Sequence, residues 1–212
     1  MRRRSGLGAL PGVTRALLMA NVAVFVAGLV PSFESLIFEN GALFSSLTLS
    51  GESYRLFTSA FMHGSPMHLL FNMYALYILG PGLELRVGSA PFASLYVGSA
   101  LAGGTLFVLM NGGVAVGASG AIFGLFGAYL VIAYERRNTP IGNAQLRSIV
   151  AILGLNAAIG FIVPNVAWEG HLGGFLAGVV IAAIWSWRKQ TPRDMVLTGV
   201  IVAIAAIIGV IV

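Results

Sequence analysis

Gly117-Ala118-Ser119-Gly120 opens one strongly apolar segment of the chain, and Gly170-His171-Leu172-Gly173-Gly174-Phe175-Leu176-Ala177-Gly178 opens another. Glycines recur at four-residue spacing in both segments, which places them on one helix face and lets two helix backbones approach closely in a membrane. The spacing therefore predicts two transmembrane helices that pack face to face, with Ser119 and His171 within reach of each other. The glycines on these two faces are Gly120, Gly124, Gly170, Gly174 and Gly178.

The composition favours a membrane protein over a soluble one. Of the 212 residues, 58% are hydrophobic and 9% are charged, and the mean hydropathy is +0.91. A soluble domain of this size needs more charge on its surface. Continuous apolar runs of transmembrane length recur along the chain, which indicates an all-α membrane protein. Seven spans are predicted, at about 14–30, 66–82, 91–110, 118–134, 147–163, 169–187 and 195–212.

The positions of the positive charges predict the orientation. The net charge of +5 could suit a nucleic acid, but the charges lie in short loops beside apolar runs, where membrane orientation requires them. With a cytoplasmic N-terminus, eleven of the twelve Lys and Arg residues face the cytoplasm, and Arg55 is the exception. We therefore expect a multi-pass protein of the cell membrane whose N-terminus is cytoplasmic and whose C-terminus is extracytoplasmic. Its expected surroundings are the lipid bilayer, and no nucleic-acid partner is expected.

This orientation brings three polar residues to the outer end of the bundle, because spans two, four and six all run inward. His68, Ser119 and His171 each lie near the start of one of these spans. Polar side chains in a membrane are costly and usually functional. At the first turn of a helix, free N–H groups beside Ser119 could stabilise an oxyanion. The alternative for Ser119 is helix packing, and the alternatives for His171 are a cofactor ligand, a proton relay or a bridge between helices.

A serine and a histidine in contact can act as nucleophile and general base. The one aspartate, Asp194, lies in a predicted cytoplasmic loop, so a Ser–His dyad is favoured over a triad. His68 and Asn72 share one helix face and can both donate hydrogen bonds, which suits an oxyanion hole. Their alternative is a structural pair that caps or bridges helices. His63 is interpreted as a loop residue that supports the turn before the span.

Metal and thiol chemistry are not expected. The chain has no cysteine and three histidines, and it lacks a His-Glu-xx-His pattern. The sequence therefore predicts no metal site.

Several motifs occur in one order along the chain: Tyr54-Arg55-Leu56-Phe57-Thr58, Met62-His63, His68-xxx-Asn72, Gly117-Ala118-Ser119-Gly120 and Gly170-His171-xx-Gly174-xxx-Gly178. Together they resemble the rhomboid family of intramembrane serine proteases, over about residues 15–188. The resemblance implies a six-helix transmembrane core at 14–188 that contains a membrane-embedded loop at about 31–65. A cytoplasmic segment at 1–13 would precede the core. A loop and a seventh transmembrane helix would follow at 189–212.

The resemblance also implies roles for the site residues. Ser119 would be the nucleophile and His171 the general base, and the oxyanion hole would comprise His68, Asn72 and the Ser119 N–H. Many relatives carry a tyrosine that stacks on the histidine; here that position is Phe123. Tyr54-Arg55 stands where the family often has Trp-Arg.

The implied substrate is a single-pass transmembrane protein whose helix unwinds near its outer end. Span five and the loop at 163–168 would form the gate for this substrate. No cofactor is implied. One copy of the chain carries every proposed group, so a monomer is expected to suffice for catalysis, and the sequence does not determine the oligomeric state.

Two other functions remain as alternatives. A catalytically inactive rhomboid-like protein could bind membrane clients without cutting them, although Ser119 and His171 are both present. A small transporter could line a polar path with the same residues, but it would favour two similar halves, and no internal repeat is evident.

Overall fold

The computed structural model describes residues 10–110, 112–162, 166–187 and 190–211. Within these ranges the chain forms ten α-helices, one 3₁₀ turn at Ser59–Phe61 and two strands of two residues each. The helices are α1 Gly12–Gly28, α2 Pro31–Gly41, α3 Ser45–Leu49, α4 Arg55–Thr58, α5 Pro66–Val87, α6 Ser89–Met110, α7 Ser119–Glu135, α8 Pro140–Ile162, α9 Trp168–Trp187 and α10 Pro192–Ile211, and the strands are β1 Leu43–Phe44 and β2 Val114–Ala115. Most of the predicted 1–13 segment, residues 163–165 of the predicted gate, Arg188-Lys189 and Val212 lie outside the described residues.

The prediction of an all-α membrane protein is confirmed. Among the described residues, α6, α9 and α10 are long and apolar enough to cross a membrane, and α1 and α7 are shorter apolar helices. Helices α1 and α5 to α10, here called the long helices, each have 17 or more residues and overlap the seven predicted spans. The number that cross the membrane stays a prediction.

Two helix boundaries differ from the sequence-based expectation. Helix α8 begins at Pro140 instead of about 147, because proline suits the first helical turn and the Thr139 Oγ1 accepts a hydrogen bond from the Gly142 N–H at 3.1 Å. Helix α5 continues past Pro81 to Val87. It ends where Gly88 adopts a φ of +92°, a conformation that favours glycine.

Helices α6, α7 and α9 pack with their backbones in contact. A Cβ atom on Gly174 would overlap the carbonyl oxygen of Gly120, and one on Gly178 would overlap the carbonyl oxygen of Gly124. A Cβ atom on Gly103 of α6 would lie 2.5 Å from the Gly170 oxygen. Only glycine permits such approaches, so these positions fix how closely the three helices pack.

A buried carboxylate joins α1 to α5. Glu84 is 2% exposed, and it accepts hydrogen bonds from the backbone N–H groups of Val13 at 2.9 Å and Thr14 at 2.7 Å. The hydroxyls of Thr14 and Ser89 each donate to it at 2.7 Å. The first N–H groups of a helix have no partner within the helix, and here Glu84 supplies one for α1.

The connection between α1 and α5, expected from the sequence as a loop, contains the short helices α2, α3 and α4. It is joined to the segment before Ser119. Strand β1 pairs antiparallel with β2, with Leu43 opposite Ala115 and Phe44 opposite Val114. Arg55 is buried and donates to the carbonyls of Glu39 at 2.7 Å and Ala42 at 2.9 Å. The embedding of this connection in a membrane stays a prediction.

Candidate active site

Ser119 is the first residue of α7. The residue before it, Ala118, has no polar side chain that could cap the helix, so the first-turn N–H groups remain available to a ligand. Gly117 adopts a φ of +131°, and its N–H donates to the Ser59 carbonyl at 2.9 Å. This bond holds the backbone turn that leads into the serine.

His171 lies in the first turn of α9 and contacts the serine directly. Its Nε2 is 2.9 Å from the Ser119 Oγ, a normal hydrogen-bond distance. The contact is possible because α7 and α9 approach at their glycine faces. The structure thus brings together the two residues that the sequence placed within reach of each other.

Phe123 stacks on the His171 imidazole. The two ring centroids are 4.3 Å apart and the ring planes differ by 7°. Phe123 lies four residues after Ser119 on the same helix face, so the helix that carries the serine also fixes the plane of the histidine ring.

His68 lies beside the turn before Ser119. Helix α5 begins after Ser65, whose Oγ accepts from the His68 N–H at 3.2 Å. A Cβ atom on Gly117 would be 2.8 Å from the His68 Nε2 and 3.7 Å from the Ser119 Oγ. The imidazole and the serine hydroxyl therefore flank the same glycine. Any side chain on Gly117 would displace the imidazole.

Asn72 lies one helical turn after His68 and is buried. Its Nδ2 donates to the His68 carbonyl at 3.0 Å. An amide nitrogen carries two hydrogens, so one remains for a second acceptor. The hydrogen bond that the structure gives Asn72 is thus to its own helix, and it restricts the orientation of the amide.

A small cavity of about 40 Å³ adjoins Ser119. That volume exceeds the space that one water molecule needs. The residues lining it include Ser59, Gly103, Phe107, Val116, Ser119 and Gly120.

Sequence reasoning missed the role of Gly117 in this site. Its signal was a glycine directly before Ala118-Ser119, but a single sequence does not reveal that a positive φ and a histidine ring both depend on it.

Within the described ranges, no cluster of three His, Cys, Asp or Glu residues is placed to hold a metal ion.

Comparison with known proteins gives a consistent result. The family model of the rhomboid domain, which describes its sequence pattern, matches residues 50–188. A putative rhomboid protease, YdcA, of Bacillus subtilis is 36% identical over 143 residues, which cover 66% of this chain and 71% of that protein. The rhomboid protease GluP of the same organism is 33% identical over 169 residues, which cover 80% of this chain and 33% of GluP. RHOMBOID-like protein 5 of Arabidopsis thaliana is 37% identical, with 71% of this chain and 50% of that protein aligned.

Proposed function

The chain belongs to the rhomboid family, and on that premise we propose that it is a serine endopeptidase that cleaves transmembrane segments within the membrane. The observation that carries this proposal is the 2.9 Å contact between the His171 Nε2 and the Ser119 Oγ. A neutral imidazole whose Nε2 lacks a proton can accept the hydroxyl proton and leave the oxygen nucleophilic.

The first half of the reaction forms an acyl-enzyme. The His171 Nε2 takes the proton of Ser119, and the serine oxygen attacks the carbonyl carbon of the scissile peptide bond. The tetrahedral intermediate then collapses, and His171 gives the proton to the departing amine nitrogen. The ester to Ser119 holds the N-terminal part of the substrate, and the C-terminal part leaves with a free amine.

The second half returns the enzyme to its starting state. Water loses a proton to His171 and attacks the ester carbon, the Ser119 oxygen leaves and regains a proton, and a carboxylic acid is released. Every step uses water, Ser119 and His171, so the proposal includes no cofactor. The cavity beside Ser119 offers space for this water.

The oxyanion of both intermediates needs donors on the side of the α7 N-terminus. We assign this role to the Ser119 N–H, the His68 imidazole and the second amide hydrogen of Asn72. Their support is the adjacency of His68, Gly117 and Ser119 and the free N–H groups of the first turn. The positive end of the α7 helix dipole also stabilises a negative charge at this position. Loss of one such donor typically lowers turnover on the order of a hundredfold.

The proposed substrate is a single-pass membrane protein cut near the outer membrane face. The orientation rests on the positive charges that flank the cytoplasmic ends of the predicted spans. A helix must unwind locally before its peptide carbonyl can meet Ser119, because helical carbonyls are occupied by their own hydrogen bonds.

Fluorophosphonate labelling of the purified protein in detergent tests the proposal most directly. We expect labelling of the wild type and none of Ser119→Ala or His171→Ala. Cleavage of a single-pass reporter in liposomes should follow the same pattern. Thr198→Ala on α10 is a matched control, because it also removes a hydroxyl from an apolar helix, and it should label normally. Labelling that survives Ser119→Ala would show that another nucleophile reacts.

The two alternatives predict different results in the same experiment. A client-binding protein without activity would remain unlabelled and would leave the reporter intact, while it retained the reporter in a pull-down. A transporter would leave the reporter uncut and unbound.

A further inference from the structure

His63 is a half-buried histidine that the proposed reaction does not use. It lies in the loop between the 3₁₀ turn and α5, outside the long helices. Both of its ring nitrogens are shielded from solvent, and within the described residues the Phe61 backbone faces the ring without a hydrogen bond of standard geometry. Burial lowers the pKa of His63 to about 4, and the neighbouring His68 acts in the same direction. The ring is therefore neutral near pH 7 and supplies no charge to the site.

The His63 ring contacts the imidazole of His68. The rings of His63 and His68 are 5.0 Å apart between centroids and meet edge to face, with 67° between their planes. This is a preferred geometry for a pair of flat rings. It restricts rotation of the His68 ring, which bears its Nε2 beside Gly117.

The loop that carries His63 is itself held on both sides. The Met62 N–H donates to the Ser59 carbonyl at 3.2 Å, and the same carbonyl accepts from the N–H of Gly117. On the other side, the Ser65 hydroxyl caps α5 at the His68 N–H. A ring placed on this short loop has little freedom to move away from His68.

We propose that His63 is a positioning residue that acts through His68, holding the His68 imidazole in the orientation that donates to the oxyanion. This proposal rests on the proposed function, because it assigns a support to one of that site's donors. A donor displaced by about 1 Å can lower turnover on the order of a hundredfold. The effect should fall on kcat, since the oxyanion is present in the transition state and not in the bound substrate.

Ring shape is the property that the test isolates. His63→Phe keeps a flat ring and removes the nitrogens, whereas His63→Leu keeps an apolar side chain and removes the ring. In reporter cleavage, we expect His63→Leu to lower kcat at least tenfold with KM unchanged and His63→Phe to stay within about threefold of the wild type. Thermal unfolding in detergent confirms that each variant is folded, and His63→Gln replaces His63→Leu if the latter does not fold.

A double-mutant cycle decides whether His63 acts through His68. The double variant His63→Leu/His68→Ala should cleave no more slowly than His68→Ala alone, because the ring that His63 positions is then gone. Losses that multiply would overturn the proposal, and so would a His63→Phe variant as impaired as His63→Leu.

The nitrogen NMR signals of ¹⁵N-histidine-labelled protein supply a readout that needs no cleavage. His63→Leu should shift or broaden the His68 signals, and His63→Phe should change them less. Unchanged His68 signals in His63→Leu would overturn the proposal. An inactive wild type would instead count against the proposed function, and the NMR comparison would still decide the role of His63.

Discussion

Replacing Gly174 by alanine perturbs the packing on which the proposed dyad depends. The new Cβ atom would overlap the carbonyl oxygen of Gly120 and lie 3.0 Å from its Cα. These are backbone atoms, so no side-chain rotation can relieve the overlap, and α7 and α9 must separate by roughly 1 Å. Gly174 is less than one turn from His171, and the 2.9 Å contact with Ser119 would lengthen beyond hydrogen-bond range.

Two effects of this substitution can be measured separately. Overpacking should lower the free energy of unfolding by about 1–3 kcal/mol, which thermal unfolding in detergent reports. Misalignment of nucleophile and base should lower the rate of fluorophosphonate labelling on the order of a hundredfold. Gly154→Ala is the matched control, because nothing lies within 4 Å of a Cβ atom there, and it should be neutral or slightly stabilising. Wild-type stability and labelling in Gly174→Ala would refute the packing argument.

Three further substitutions test other contacts. Phe123→Leu removes the stacked ring, so reporter cleavage should show kcat reduced about tenfold, whereas an unchanged kcat would mean that the His171 ring needs no such support. Glu84→Gln leaves a neutral amide among four donors, so the free energy of unfolding should fall by about 2–3 kcal/mol. The fluorophosphonate labelling of the folded protein should not change. Wild-type stability would contradict the role assigned to the carboxylate. Arg55→Lys keeps the charge but loses the planar guanidinium, which donates through Nε to Glu52 at 2.6 Å and through Nη1 to the Glu39 and Ala42 carbonyls. A single ammonium nitrogen does not match that geometry, so unfolding measurements should show nearly as large a loss of stability as for Arg55→Ala. Full rescue by lysine would show that charge alone matters.

The parts of the fold that the sequence predicted are those encoded by local spacing. Apolar runs identify the long helices, and glycines at four-residue intervals identify the faces of α7 and α9 that meet. Because these faces also orient Ser119 and His171, the same local signal predicted the contact between them. The proline at 140 and the threonine before it could have corrected the start of α8, but the apolar pattern begins seven residues later.

What the sequence did not reveal depends on partners distant along the chain. Glu84 lies just beyond the predicted end of its span, and no sequence pattern marks it as buried. Its partners at Val13 and Thr14 are about 70 residues away in sequence, and no spacing rule connects them. The ring contact between His63 and His68 was missed for a related reason, since their five-residue separation spans a loop whose backbone path the sequence does not fix.

The position of Ser119 and His171 at two helix starts explains how a polar site can exist in so apolar a chain. A helix start already exposes N–H groups that need a polar partner. Placing a serine, water and a developing oxyanion there therefore adds little to the cost of burying polar groups in the protein. At mid-helix the same groups would lie in a fully bonded, apolar environment. In the proposed dyad, glycine contacts between backbones would take the place of a third catalytic residue in fixing the geometry, and Phe123 stacks on the histidine ring and sets its plane. Because backbone contacts fix this geometry, few side chains can adjust to a change in it. Substitutions at these glycines should therefore impair reporter cleavage more than changes to most polar residues outside the proposed dyad and the proposed oxyanion donors.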